Sequence, residues 1–233
     1  MTKSHAKAGV SEVEETLNKS EAFIQKNKKA LIGAFIGLLV IIAGFILFNN
    51  MQDSRSKEAA TALANAQELI SRQQFEQALK GNGSASPGLL QIVSDYGGTK
   101  SGNLAKYYSG ICYAKMNKWQ EAVQYLEDFK PQDDLLVSPL SQVALGDAYA
   151  NIKQYDKAVE AFKKAASLAD KAAEGGLNMS VSPLALKKAG IILNEQGKKE
   201  DAQKTFEEIK TKYVNATLTT SGEIDKYIEF VKK

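Results

Sequence analysis

The stretch Ser141–Ala165, SQVALGDAYANIKQYDKAVEAFKKA, decides the fold. Apolar and small residues recur in it every three or four positions, the period of a helix with one face turned inward. Asn151-Ile152-Lys153-Gln154 interrupts that period once, so the stretch reads as two helices joined by a tight turn. Two neighbouring stretches superpose on it: LAKYYSGICYAKMNKWQEAVQYLEDF from Leu104 and LALKKAGIILNEQGKKEDAQKTFEEI from Leu184. The shared positions are Gly110, Tyr113, Ala122 and Leu126; Gly146, Tyr149, Ala158 and Phe162; and Gly190, Leu193, Ala202 and Phe206. Small residues repeated opposite large ones are what close helix crossings require, and self-similarity at this period is the mark of a stacked-repeat chain. The fold class is therefore all-α.

These positions resemble the tetratricopeptide repeat (TPR) pattern, with Gly and Tyr in the first helix of a hairpin and Ala and Phe in the second. The middle unit matches most fully, with Leu145, Tyr155 and Ala165 also in place. The spacings between the glycines, 36 and 44 residues, predict a small extension and then a longer insertion that holds Gly175-Gly176 and ends at Ser182-Pro183. Upstream, 59–72 and 74–79 predict a degenerate leading hairpin with Ala78 at the template alanine. A further helix is predicted from Pro87 to Tyr96. Ile224, Tyr227, Ile228 and Val231 predict a terminal helix that covers the open end of the stack.

Ahead of the repeats, ALIGAFIGLLVIIAGFILF (30–48) runs for 19 residues without a charge. As a helix it spans about 28 Å, near the thickness of a bilayer core, and predicts a single transmembrane helix. Lys26, Lys28 and Lys29 on its N-terminal side predict an N-in, single-pass membrane protein. Gly33 and Gly37 form a GxxxG pair, and Ser11, Val13, Glu14, Leu17 and Ile24 suggest a short amphipathic helix before it. The organisation expected is 1–29 as a cytoplasmic tail, 30–48 as the membrane helix, 55–100 as the leading hairpin, and 103–233 as about three TPR units with a capping helix.

Composition narrows the chemistry. The net charge of +3 is dispersed, which speaks against nucleic-acid binding. One cysteine, Cys112, and one histidine, His5, supply neither a disulfide nor a metal site nor a histidine-based triad. Cys112 beside Gly110 and Tyr113 reads as a packed structural thiol, and Trp119 and Tyr155 read as fillers of hairpin turns. No phosphate loop, dinucleotide turn, zinc motif or nucleophile elbow is present, so no enzymatic activity and no cofactor is expected.

The whole arrangement resembles the YfgM-like family of bacterial inner-membrane proteins. The resemblance implies a C-terminal domain in the periplasm and protein or peptide partners that include the Sec translocon and membrane-anchored periplasmic chaperones. The TPR resemblance implies a partner-binding groove lined by the first helices: Leu104, Tyr107, Ile111 and Lys115; Val143, Asp147 and Asn151; and Lys187, Ile191 and Asn194. Two alternatives remain open at this point: a scaffold of an envelope complex acting through its membrane helix, and a mitochondrial-type TPR import receptor.

Overall fold

The computed structural model of the chain describes residues 26–29, 37–44, 54–82 and 86–232. Contacts divide the chain into two units, Met1–Ser54 and Arg55–Lys233. In the first, residues 26–29 and 37–44 are helical. No helix among the described residues is long and apolar enough to cross a membrane. The rest of the 30–48 run lies outside the described residues, as do Gly33 of the GxxxG pair and the expected amphipathic segment from Ser11 to Ile24.

The second unit is a succession of antiparallel helices. They are α1 (54–71), α2 (Phe75–Lys80), α3 (Leu89–Tyr96), α4 (Lys100–Lys115), α5 (Trp119–Asp128) and α6 (Val137–Asn151). After these come α7 (Tyr155–Ala172), α8 (Val181–Glu195), α9 (Lys199–Lys212), α10 (Thr217–Thr220) and α11 (Glu223–Val231). Four hairpins, α1/α2, α4/α5, α6/α7 and α8/α9, close with one turn geometry. Its centre is a residue with positive φ: Gln73, Asn117, Lys153 and Gly197. The next N–H in each reaches five residues back, Gln74 to the Leu69 carbonyl, Lys118 to Tyr113, Gln154 to Tyr149 and Lys198 to Leu193, all at 2.9 Å. This satisfies carbonyls left over at the end of a helix and reverses the chain within three residues.

Within each full hairpin the glycine of the first helix receives the large residue of the second. A Cβ on Gly110 would lie 2.5 Å from Leu126, one on Gly146 2.6 Å from the Phe162 ring, and one on Gly190 2.5 Å from the Phe206 ring. In the leading hairpin α2 stops at Lys80, before the position where that large residue would fall, and the matching first-helix residue is the buried Ala66. The chain there makes a bridge between Gly81 and Pro87. The helix expected from Pro87 therefore begins two residues later, at Leu89, because Pro87 belongs to the bridge.

Consecutive hairpins pack through Ala165, Ala169, Ala185 and Ala189, all fully buried, so the backbones approach closely. The tetrapeptide Val-Ser-Pro-Leu begins both α6 and α8, and Pro139 and Pro183 are fully buried in the first turns, where a missing N–H costs nothing. The insertion before α8 lengthens α7 to 18 residues and then forms the loop 173–180. The last helix, α11, lies on α9 and buries Ile224, Ile228 and Val231.

Candidate interaction face

Each first helix of the stack is covered by its own hairpin partner and by the hairpins beside it. α6 packs on α5 and α7 and touches both α4 and α8. What stays open on α4, α6 and α8 is one face of each. At 100° per residue Lys100, Leu104, Tyr107, Ile111 and Lys115 fall within one sector of about 80° on α4. Leu140, Val143, Asp147 and Asn151 repeat that sector on α6, and Leu184, Lys187, Ile191 and Glu195 repeat it on α8.

The ten residues expected to face a partner all sit on these three helices. Leu104, Tyr107, Ile111, Val143, Asp147, Lys187, Ile191 and Asn194 are half-buried, and Lys115 and Asn151 are exposed. Leu104 packs against the cluster under the leading hairpin, whereas Tyr107, Val143 and Ile191 pack against the main core. Tyr107 stands 5.9 Å from the Phe129 ring and 5.1 Å from Tyr108, and burial, with a smaller contribution from Tyr108, raises its hydroxyl pKa. It is therefore a half-buried aromatic whose hydroxyl stays neutral. Asn194 lies one position off the sector; Glu195 is the residue in register with Lys115 and Asn151.

Two charges on this face, Asp147 and Lys187, are spent inside the molecule. On α8 Lys188 reaches back to Asp147 of α6, Nζ to Oδ1 2.7 Å, and Lys187 reaches forward to Glu223 of α11, Nζ to Oε1 3.0 Å. The Asn151 amide donates to the Asp147 carbonyl at 2.8 Å, within its own helix. Each ion pair is partly exposed and contributes under about 1 kcal/mol, but together they tie α6, α8 and α11. The surface they leave is apolar toward the N-terminal ends of the first helices, through Leu104, Leu140 and Leu184, and polar toward the turns. Leu140, Leu184, Lys188 and Lys100 were not singled out from the sequence. The repeated Val-Ser-Pro-Leu would have found the two leucines, but nothing local marks Lys188.

The opposite side of the stack carries two crevices, each with a tyrosine held by a carboxylate. Tyr149 donates to Glu127 across α6 and α5. Tyr213, fully buried, donates to Asp170 at 2.7 Å, and the same carboxylate takes hydrogen bonds from Ser182 Oγ, Lys212 Nζ and the Asn178 N–H. Burial pushes the Asp170 carboxyl up, and these four donors outweigh it, leaving the pKa below the ordinary value. Every acceptor position there is filled from within, which marks Asp170 as a brace. No cluster of metal-ligating side chains occurs among the described residues.

Residues 37–221 match the family described as T7SS, ESX-1 secretion system protein EccA1, N-terminal domain. Among solved structures, a Podosopora anserina protein of kinesin light chain type with nearly identical TPR-like repeats aligns with a TM-score of 0.51 at 16% identity. The alignment covers 76% of this chain and 94% of that one. A variant of the same protein aligns with the same values. At that identity the likeness is one of fold, and the fold is an all-α, TPR-like stack. No curated protein matches the chain. The YfgM-like family is not confirmed by any of these comparisons. The expected localisation, a single pass through the bacterial inner membrane with the C-terminal domain in the periplasm, is overturned. The family match starts at residue 37, inside the apolar run, and no described helix can span a bilayer. The Sec translocon, the periplasmic chaperones and the membrane find no support as partners.

Proposed function

Since this chain belongs to the family of the T7SS, ESX-1 secretion system protein EccA1, N-terminal domain, we propose that it is a protein-binding adaptor domain that serves a secretion system. The observation that carries this reading is the set of half-buried apolar side chains on one sector of the first helices, Leu104, Tyr107 and Ile111 on α4, Leu140 and Val143 on α6, and Ile191 on α8. Stacked hairpins hold such a row rigidly, so a partner docks without the domain having to order itself first. Recognition rests on apolar anchors with a few polar contacts, since Asp147 and Lys187 on this face are paired internally.

The test is affinity purification of the tagged chain from its source cells, with mass spectrometry of what co-elutes, repeated with Tyr107→Ser/Ile111→Ser and with Leu184→Ser. Leu184 is 48% exposed, so its replacement leaves folding intact. Loss of the co-eluting set with unchanged helicity and melting temperature is the result expected. Retention of the full set by both variants would overturn the reading.

A further inference from the structure

We infer that the partner segment is an amphipathic α-helix with acidic residues at both ends, seated along α4 and α6. The inference rests on the interaction face described above and specifies its occupant. Two observations lead to it, one geometric and one electrostatic.

The geometric observation is the register of α4 with α6. The two helices touch, and at equivalent positions of the repeat they carry Leu104 and Leu140, then Tyr107 and Val143. Leu104, Tyr107 and Ile111 are spaced three and four residues apart, the repeat by which one helix offers a seam to another. An extended strand has a period of about 3.3 Å per residue and does not follow rows set by helical turns. A third helix laid over the seam does, with its own side chains at i, i+3 or i+4, and i+7.

The electrostatic observation concerns the two ends of the seam. Lys100 opens the α4 stripe and Lys115 closes it, with only apolar side chains between them. Both are exposed, and neither side chain makes an ion pair or hydrogen bond among the described residues. α4 contains no acidic residue, and the acidic residue of α6, Asp147, is engaged by Lys188. The two lysines stand 15 residues apart, about 22 Å along a helix axis. Toward α8 the face changes character, because Lys187 and Lys188 are neutralised by Glu223 and Asp147. Lys100 and Lys115 thus set an unspent positive charge at each end of one apolar seam. A helix of about 15 to 18 residues with an apolar stripe and a carboxylate near each end complements it in length, pattern and charge.

Three synthetic helical peptides of about 18 residues, sharing one leucine stripe and carrying Glu, Gln or Lys in the first and last turns, are titrated against the full chain by fluorescence anisotropy. The expected order is Glu tighter than Gln tighter than Lys, with about tenfold between the extremes at low salt and little difference at high salt. In the Lys100→Glu/Lys115→Glu variant, whose substituted side chains are exposed, the order should reverse. The Tyr107→Ser/Ile111→Ser variant should weaken all three alike. Equal binding of the three peptides, or an order unmoved by the charge reversal, overturns the acidic-ended occupant and leaves the adaptor reading standing. Binding that depends on charge but ignores the Tyr107 and Ile111 replacements puts the site elsewhere and overturns both. Failure of all three to bind overturns the helical occupant.

Discussion

Gly146 lies so close to Phe162 that a Cβ added to it would stand 2.6 Å from two atoms of the ring. The contact joins the two helices of the middle hairpin at their crossing, and Gly190 with Phe206 repeats it one hairpin on. In the first full hairpin the partner of Gly110 is Leu126, so the requirement is for a glycine opposite a bulky side chain and not for a ring as such. We expect Gly146→Ala to cost about 1–3 kcal/mol, because the ring is fully packed and has no free direction in which to move. Combining it with Phe162→Leu should cost less than the sum of the two single changes. Urea denaturation of the four proteins of that cycle measures it, and strict additivity would mean that the two residues do not share the crossing.

The hairpin turns offer a second experiment. Lys153 and Gln73 hold φ near 61°, a region that costs an L side chain about 1 kcal/mol or more and costs glycine nothing. Lys153→Gly should therefore raise the urea midpoint, by up to about 1 kcal/mol of stability. Gly197→Ala, at the equivalent turn with φ of 75°, should lower it by a similar amount. The same sign for both substitutions would contradict the common turn geometry.

Asp170 gives the chain a dependence on acid. Its pKa in the folded state is depressed below the ordinary 3.8, because the hydrogen bonds from Asn178, Lys212, Ser182 and Tyr213 outweigh the effect of burial. A depressed folded pKa stabilises the fold above the unfolded value, and that stabilisation is lost as pH falls from about 4 through the folded value. Asp134 behaves likewise: burial pushes its carboxyl up, and hydrogen bonds from the Ser138 hydroxyl and from backbone N–H groups bring it below the ordinary value. Asp170→Asn should flatten the fall in melting temperature between about pH 4 and pH 2, while leaving the Asp134 contribution in place. An unaltered pH profile would remove Asp170 from the account.

Cys112 is fully buried, and burial pushes its thiol pKa up to about 12. The thiolate is the reactive form, so the native protein should resist alkylation by iodoacetamide at pH 8. Labelling should appear with the global unfolding transition in urea. Rapid labelling without denaturant would show that α4 opens locally.

The TPR-like stack was legible in the sequence because its main determinant is local and repeated. A glycine at a helix crossing leaves the same mark each time, with a bulky residue at a fixed distance beyond it, and three copies of that mark identify the hairpins. The leading hairpin was harder to follow. Its second helix ends at Lys80 and its crossing residue is Ala66, so the glycine and the large side chain disappear together. The left-handed centre of each turn was hidden for another reason: glutamine, asparagine and lysine carry that conformation in three of the four, where glycine would have signalled it. The location read from the apolar run at 30–48 did not hold: the family match begins at residue 37, inside the run, and no helix among the described residues is long and apolar enough to cross a membrane.

By itself the sequence determined that this chain is helical and repeated, where its hairpins turn back, and which side chains each first helix has to offer. Those properties follow from the period of one helix and the volumes of residues a fixed distance apart, both carried along a single chain. Only the tertiary structure decided what those side chains are free to do. Lys187 and Lys188 are chain neighbours, yet one is bound by Glu223 of α11 and the other by Asp147 of α6, while Lys100 and Lys115 bind nothing. Which charges are spent and which remain depends on the rotation and offset between packed helices, a relation set by the whole stack and written in no one segment of it.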